Sequence, residues 1–289
     1  MHKLRIILVL LLLVIVGGEG ILLVTDFLAQ RLPNPPKHCF GEPNEYKKWI
    51  CFLPYFTDLV NKTSAGYAMR QAKSFKTNGV VDACHLIAHH IGETALEKYD
   101  FDAGQAFASC EFGCIEGCFH GVMERLVRST ADPSAVASAV KNMCDMVRTP
   151  NLQKEALLKS QCAHGIGHGL VAHGFLPVAQ AVSACQGLEG GLFQARCRGG
   201  VAMEHVEQYL SLEENKLKET LPAICAPFKA VKDANALYDC HINIGIVLMW
   251  YTKHDLSLSQ KLCEELQKPE YIYVCKEGTE EEDVINVTN

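Results

Sequence analysis

The sequence predicts an all-α fold of helical-hairpin repeats, arranged as a solenoid or toroid and stapled by disulfides. Three observations predict it. A cysteine opening a Gly- or His-bearing helical segment recurs at Cys84, Cys118, Cys162, Cys197, Cys240 and Cys275, with starts 34 to 44 residues apart, the period of stacked helix pairs. Apolar spacing and proline-started segments favour helices, and β-branched runs that would suit strands are confined to short stretches such as Ile242 to Leu248. Fourteen cysteines, an even number, are spread along the chain instead of clustering in zinc-module pairs, so disulfides are the expected state.

Taken in order, residues 1–30 begin with a short basic stretch, Met1 to Arg5, followed by the wholly apolar Ile6 to Val16. This is the pattern of a secretory signal. A second apolar patch, Ile21 to Leu28, extends the stretch far enough to span a bilayer of ~20 residues. Cleaved signal and uncleaved membrane anchor both stand, and in each the bulk of the chain is extracytoplasmic. Residues 31–38 are proline-rich and expected to be a linker. Residues 39–276 form the repeat domain, and the acidic, polar stretch 277–289 is expected to be a disordered tail.

Within the domain, the first unit pairs CHLIAHHIGETALEKY with a second helix over Phe101 to Cys110. The next pairs CFHGVMERLVRS with Pro133 to Cys144, and the third pairs CAHGIGHGLVAHG with Pro177 to Cys185. CRGGVAMEHVEQYL precedes Leu217 to Cys225, and CHINIGIVLMWY precedes Leu256 to Cys263. Proline after Leu176 and after Asp132 suits a first helical turn, where no needed N–H is lost. A cysteine ending one unit lies 12 to 18 residues before the one opening the next, which pairs Cys144 with Cys162, Cys185 with Cys197, Cys225 with Cys240 and Cys263 with Cys275. Cys39 and Cys51 fit the same spacing; the partners of Cys84, Cys110, Cys114 and Cys118 stay open.

Several function classes are excluded. A formal charge of −6 with no basic run gives no electrostatic footprint for nucleic acid. HExxH, GxSxG, a P-loop and GxGxxG are all missing, which removes zincin, hydrolase-elbow, NTPase and dinucleotide-binding chemistry. Oxidised cysteines leave no thiol nucleophile.

Eight of the twelve histidines lie between Cys84 and His205. Residues four apart share a helix face, so His85 with His89, His120 with Glu124, and His164 with His168 each form a two-ligand stripe; Glu204-His205 adds a fourth candidate. Counted from the opening cysteines, His120 matches His164, while His90, Glu124 and His168 match one another, so these positions should converge. Helices that each supply a His or Glu to one centre hold transition metals. His85, His89, His120, Glu124, His164 and His168 are therefore the expected ligands, with Glu204 as a catalytic proton-transfer group or further ligand. The expected cofactor is a divalent transition metal: zinc, iron, copper or manganese. The bland alternative is a network of satisfied imidazoles lining the repeat interface. Lone histidines, His2, His38, His173, His241 and His254, are not assigned a role. Gly121, Gly165, Gly167, Gly169, Gly199 and Gly200 fall inside expected helices, at ~1 kcal/mol each against alanine. Close helix contact or open space above the imidazoles would compensate.

These segments resemble a group of predicted extracytoplasmic bacterial proteins with CHxxxHxxG, HGVxE, HGxGHG and GGVxME motifs, over about Cys84 to Glu204. His85, His89 and Gly92 carry the first motif and His120, Gly121 and Glu124 the second. The third runs from His164 to Gly169, and Met203-Glu204 ends the fourth. The resemblance implies the repeat architecture and the choice of site, and no reaction. Two functions follow as expectations: a metal-dependent enzyme, oxidative or hydrolytic, or a non-enzymatic periplasmic or surface module binding a peptide, glycan or partner protein. A membrane is a partner only through an uncleaved N-terminal segment.

Overall fold

A computed structural model describes residues 32–81, 84–129, 136, 140–148, 151–172, 175–212, 217–231, 233 and 235–288. The signal or anchor segment and His173 lie outside them. Every regular element among the described residues is helical, and none is long and apolar enough to cross a membrane.

An N-terminal hairpin, α1 (Glu45–Lys62) and α2 (Ala65–Thr77), precedes the first cysteine-opened unit. It carries Cys51 in α1 but no Gly or His after it in that helix, and so did not stand out as a unit. Its starts are nonetheless written locally, because Asn44 Oδ1 accepts from Lys47 N at 2.9 Å and Ser64 Oγ from Tyr67 N at 3.1 Å, each satisfying an orphan first-turn amide. The expected linker has no regular structure over 32–36, but Lys37 and His38 already belong to a 3-10 turn, Lys37–Gly41.

Five units follow as α3 (His85–Lys98) with α4 (Ala103–Ser109), α5 (Gly117–Arg128), α6 (Leu152–Val171) with α7 (Val178–Cys185), α8 (Gly191–Leu212) with α9 (Leu217–Ile224), and α10 (Ala236–Tyr251) with α11 (Leu256–Cys263). Of the second helix expected after α5, residues 136 and 140–144 are described; 136 and 140–143 are helical, and Val136 and Val140 are buried. The long helices pack in series: α1 on α3, then α5, α6, α8, α10 and finally α12 (Pro269–Thr288). Ile87, Ile91, Phe119, Met123, Ile166 and Leu170 of this series are fully buried.

Three of these interfaces share one device. Where α3 crosses α5, Gly92 lies against the Cys118 carbonyl and Gly121 against that of His89. Gly167 and Gly200 repeat the exchange between α6 and α8, on the carbonyls of Cys197 and His164, and Gly245 and Gly278 repeat it between α10 and α12, on those of Cys275 and Ile242. A Cβ at any of the six would fall far inside van der Waals contact with backbone, so the helices can approach this closely only without one.

The expected disordered tail is corrected here. From Pro269 the chain continues as α12 to Thr288, because Gly278 and buried Thr279 and Glu282 face α10. Trp250 Nε1–H donates to Glu282 Oε1 at 2.9 Å. Burial pushes the Glu282 carboxyl up from 4.5 to about 7. A raised folded-state pKa favours the protonated form, so this stabilisation is complete below pH 4.5 and is lost as pH rises through 7. Thermal unfolding at pH 5 and pH 8 should differ by up to ~3 kcal/mol from this group. Glu282→Gln should remove this group's share of the difference; an unchanged pH slope in that variant would exclude Glu282 as a source.

All fourteen cysteines are paired in seven disulfides, which points to an oxidising, extracytoplasmic compartment. The five pairings expected from spacing are present, and the open set resolves as Cys84–Cys114 and Cys110–Cys118.

Candidate metal centre

Five histidines from three consecutive long helices meet in one buried cluster: His85 and His89 of α3, His120 of α5, and His164 and His168 of α6. Each is at most 6 % exposed. Ring centroids are 4.5 Å apart for His85 and His89, 4.7 Å for His120 and His164, and 5.0 Å for His89 and His168. Two triads, His85–His89–His120 and His120–His164–His168, each bring three ligand atoms within 4.8 Å of one another, with His120 shared. Trp250 of α10 covers His85 at 5.0 Å.

The glycine contacts place these rings. Gly121 and Gly200 seat the carbonyls of His89 and His164, while Gly165 and Gly169 of α6 abut the backbone of His120 and Glu124. Gly199 is different: a Cβ there would meet only the His164 ring, at 3.8 Å. Close approach and space beside an imidazole, the two compensations open in the sequence, are both used.

Hydrogen bonds fix which ring nitrogen carries the proton. A carbonyl oxygen can only accept, so His85 Nδ1–H donates to Cys114 O at 3.0 Å and His164 Nδ1–H to Arg196 O at 3.1 Å. His89 and His168 instead pair Nδ1 with carboxylates, Glu124 Oε2 at 3.0 Å and Glu204 Oε2 at 2.8 Å. His120 Nε2 faces Gln161 Oε1 at 2.9 Å, leaving its Nδ1 buried without a partner; His168 Nε2 is likewise unpartnered. Burial depresses all five, helped by neighbouring imidazoles at His85, His89 and His120 and by Arg196 at His164 and His168, with His89 lowered to about 3 and His168 to about 4. The cluster is therefore neutral near pH 7, with a lone pair on the inward nitrogen of each ring.

The acceptor for His85 is held by an unusual turn. Cys114, Ile115 and Glu116 are consecutively left-handed, at φ 52, 52 and 54°, a conformation costing ~1 kcal/mol or more per non-glycine residue. Disulfides Cys84–Cys114 and Cys110–Cys118 clamp this stretch, between the end of α4 and the start of α5.

All six expected ligands and Glu204 are thus in one neighbourhood, in two layers. The five imidazoles are inside; Glu124 and Glu204 occupy the outer layer, on the Nδ1 atoms of His89 and His168. Glu124 also lies 3.4 Å from Arg128, which pairs with Glu93 as well. Burial and the nearby Glu124 raise the Glu93 carboxyl to about 8. His90, expected to converge, instead contacts Thr57 Oγ1 at 2.7 Å. Counting from cysteines misplaced it, since Cys84 is eight residues before its glycine contact at Gly92, whereas Cys162 is five before Gly167. His205 is directed to the Ile224 carbonyl at 2.9 Å, away from the cluster. His241, left unassigned, is satisfied by Leu237 O at 2.7 Å.

Beside the cluster opens a cavity of about 480 Å³, lined by His89, Glu93, Glu124, Glu204 and Glu207 on one side and by Tyr46, Trp49, Ile50 and Leu53 of α1 on another. Glu207, three residues after Glu204, went unnoticed in the sequence, although that spacing keeps it on the same helix face. Burial, and then the proximity of Glu204 and Glu124, push its carboxyl well above the usual range. Comparisons with protein-family models, curated proteins and solved structures find no match for the chain.

Proposed function

We propose that the chain is an extracytoplasmic metal-dependent enzyme, oxidative or hydrolytic, whose metal is held by His85, His89, His120, His164 and His168. The observation that carries this is the approach of His85 Nε2 to His89 Nε2 at 3.0 Å. With both Nδ1 protons committed to acceptors, two lone pairs face each other across that gap. A cation between them converts repulsion into coordination, and it would also take up the buried, unpartnered Nδ1 of His120 and Nε2 of His168. Neutral imidazoles oriented by a carbonyl or carboxylate on the other nitrogen are the usual form of a histidine ligand. An all-imidazole set, with every thiol in a disulfide, suits zinc, iron, copper or manganese.

The two triads sharing His120 provide for one or two ions. A bound ion there would activate water or, if redox-active, transfer electrons. Glu124 and Glu204 hold His89 and His168 in orientation, and Glu204, which also lines the cavity, is the group assigned to proton transfer. Access from this cavity favours an enzyme over a closed storage site. We further read the helix series as a toroid. Trp250 of α10 reaches His85 of α3, α12 brings Glu282 within the field of Lys76, and the cavity draws on α1, α3, α5, α8 and α10.

Metal analysis of protein made in an oxidising compartment tests the reading. Stoichiometric zinc, iron, copper or manganese is expected in the wild type and should be lost in His120→Ala and His164→Ala, with helicity retained by circular dichroism. Stripping the metal should lower the thermal midpoint by ~10 °C, since ligand at a thousand times its Kd stabilises by ~4 kcal/mol. A wild type that binds none of the four ions after reconstitution would sink the proposal and leave the binding-module alternative.

A further inference from the structure

The cavity beside the histidines has walls of opposite character. Tyr46 and Ile50 at its rim are 45 % and 48 % exposed, and with Trp49, Leu53 and Leu86 they make an apolar, aromatic side. Facing them are four carboxyl groups, Glu93, Glu124, Glu204 and Glu207. Arg128, the cation paired with this wall, is engaged by Glu93 and Glu124 on the α3 and α5 side. On the α8 side, Glu204 accepts from His168 and from Gln208 Nε2 at 2.6 Å. Glu207 is different. It is 8 % exposed, lines the cavity, and its Oε2 is buried with no hydrogen-bond partner.

A buried carboxyl oxygen without a partner loses its hydration and gains nothing in return, so in a native fold it calls for a missing partner. We propose that the cavity binds an organic cation, a primary ammonium group on an apolar chain or ring, with the ammonium seated on Glu207 and the apolar body against Trp49, Leu53 and Leu86. The volume, about 480 Å³, is that of a small-molecule site. A neutral hydroxyl would satisfy one lone pair of Glu207 but bring no charge, whereas an ammonium would both fill that position and hold as a carboxylate a group that burial otherwise keeps protonated. The aromatic rings at the rim favour a cation carrying an apolar body. The four carboxylates do not themselves converge as a metal-ligand group among the described residues, unlike the imidazoles. That this ligand is the substrate rests on the metal-enzyme reading; that it binds does not.

Calorimetry with hexylammonium, hexanol and hexanoate on metal-stripped protein separates the two claims. Hexylammonium should bind, hexanol at least about tenfold more weakly and hexanoate not measurably, because a charged hydrogen bond is worth that factor or more. The isosteric Glu207→Gln should lose about tenfold for hexylammonium while keeping the wild-type thermal midpoint and metal content. Equal affinity for the ammonium and the alcohol, or unchanged binding in Glu207→Gln, would overturn the proposal. So would displacement of hexylammonium by Mg²⁺ or Ca²⁺ through a site lost in that variant. Stoichiometric metal without ammonium selectivity would reject this inference alone, and ammonium binding without any metal would reject only the enzyme reading.

Discussion

Gly200→Ala should destabilise the protein by ~3 kcal/mol or more and empty the metal centre, while Gly199→Ala, one residue earlier, should leave stability equal or up to ~1 kcal/mol higher. Both residues are in α8, so helix propensity predicts a gain for each. The difference is in what a new methyl group meets. At Gly200 it would collide with the backbone carbonyl of His164, an atom that cannot rotate away; at Gly199 it reaches the His164 ring at an ordinary 3.8 Å. Forcing α6 and α8 apart moves the helix that presents His164 and His168 relative to Glu204, so metal should be lost along with stability. Thermal midpoints and metal content of the two variants test this. Equal destabilisation by both would mean that the reciprocal glycine contact is not what sets the spacing.

Reduction of the seven disulfides should unfold the domain at ambient temperature. The loops they close span 8 to 30 residues, and loops near the middle of that range are each worth ~3 kcal/mol in the chain-entropy model. Together they exceed the ~5–15 kcal/mol net stability of an ordinary domain. Loss of far-ultraviolet helicity on adding a thiol reductant, and its return on reoxidation, is the expected result; a reduced protein with native helicity and a cooperative transition would contradict it. Individual bridges should separate by role. Replacing Cys84 and Cys114 with alanine frees the left-handed turn that presents the Cys114 carbonyl to His85, so metal and stability should fall together. Replacing Cys39 and Cys51, which join the N-terminal turn to α1, should cost stability without emptying the site.

The helix pairs were legible because their signals are local. Leu256 to Cys263 was bounded correctly by its own pattern, and Asp255 caps it through Oδ1 at 2.9 Å from Leu258 N. The stripe His164–His168 needed only helical periodicity. His90 was less tractable: its direction depends on how far its helix has turned when it reaches the glycine contact with α5, and the count from Cys84 does not carry that phase. The acidic stretch after Cys275 misled for a related reason. Its composition resembles a solvated tail, but Gly278, Thr279 and Glu282 meet a partner helix that begins some forty residues earlier in the chain.

By itself the sequence determined the helical fold class, the five sequential disulfides and the neighbourhood of the histidines, since periodicity, capping and short loop closure act within tens of residues. Only the tertiary structure decided that five imidazoles form the inner layer while Glu124 and Glu204 stand behind them, that Cys114 is turned toward His85, and that Glu207 is buried in the wall of a cavity. Those outcomes depend on the crossing of α3, α5, α6 and α8 at glycine contacts, where the distance between two backbones, set by the absence of a Cβ on each side, fixes which side-chain atoms can meet.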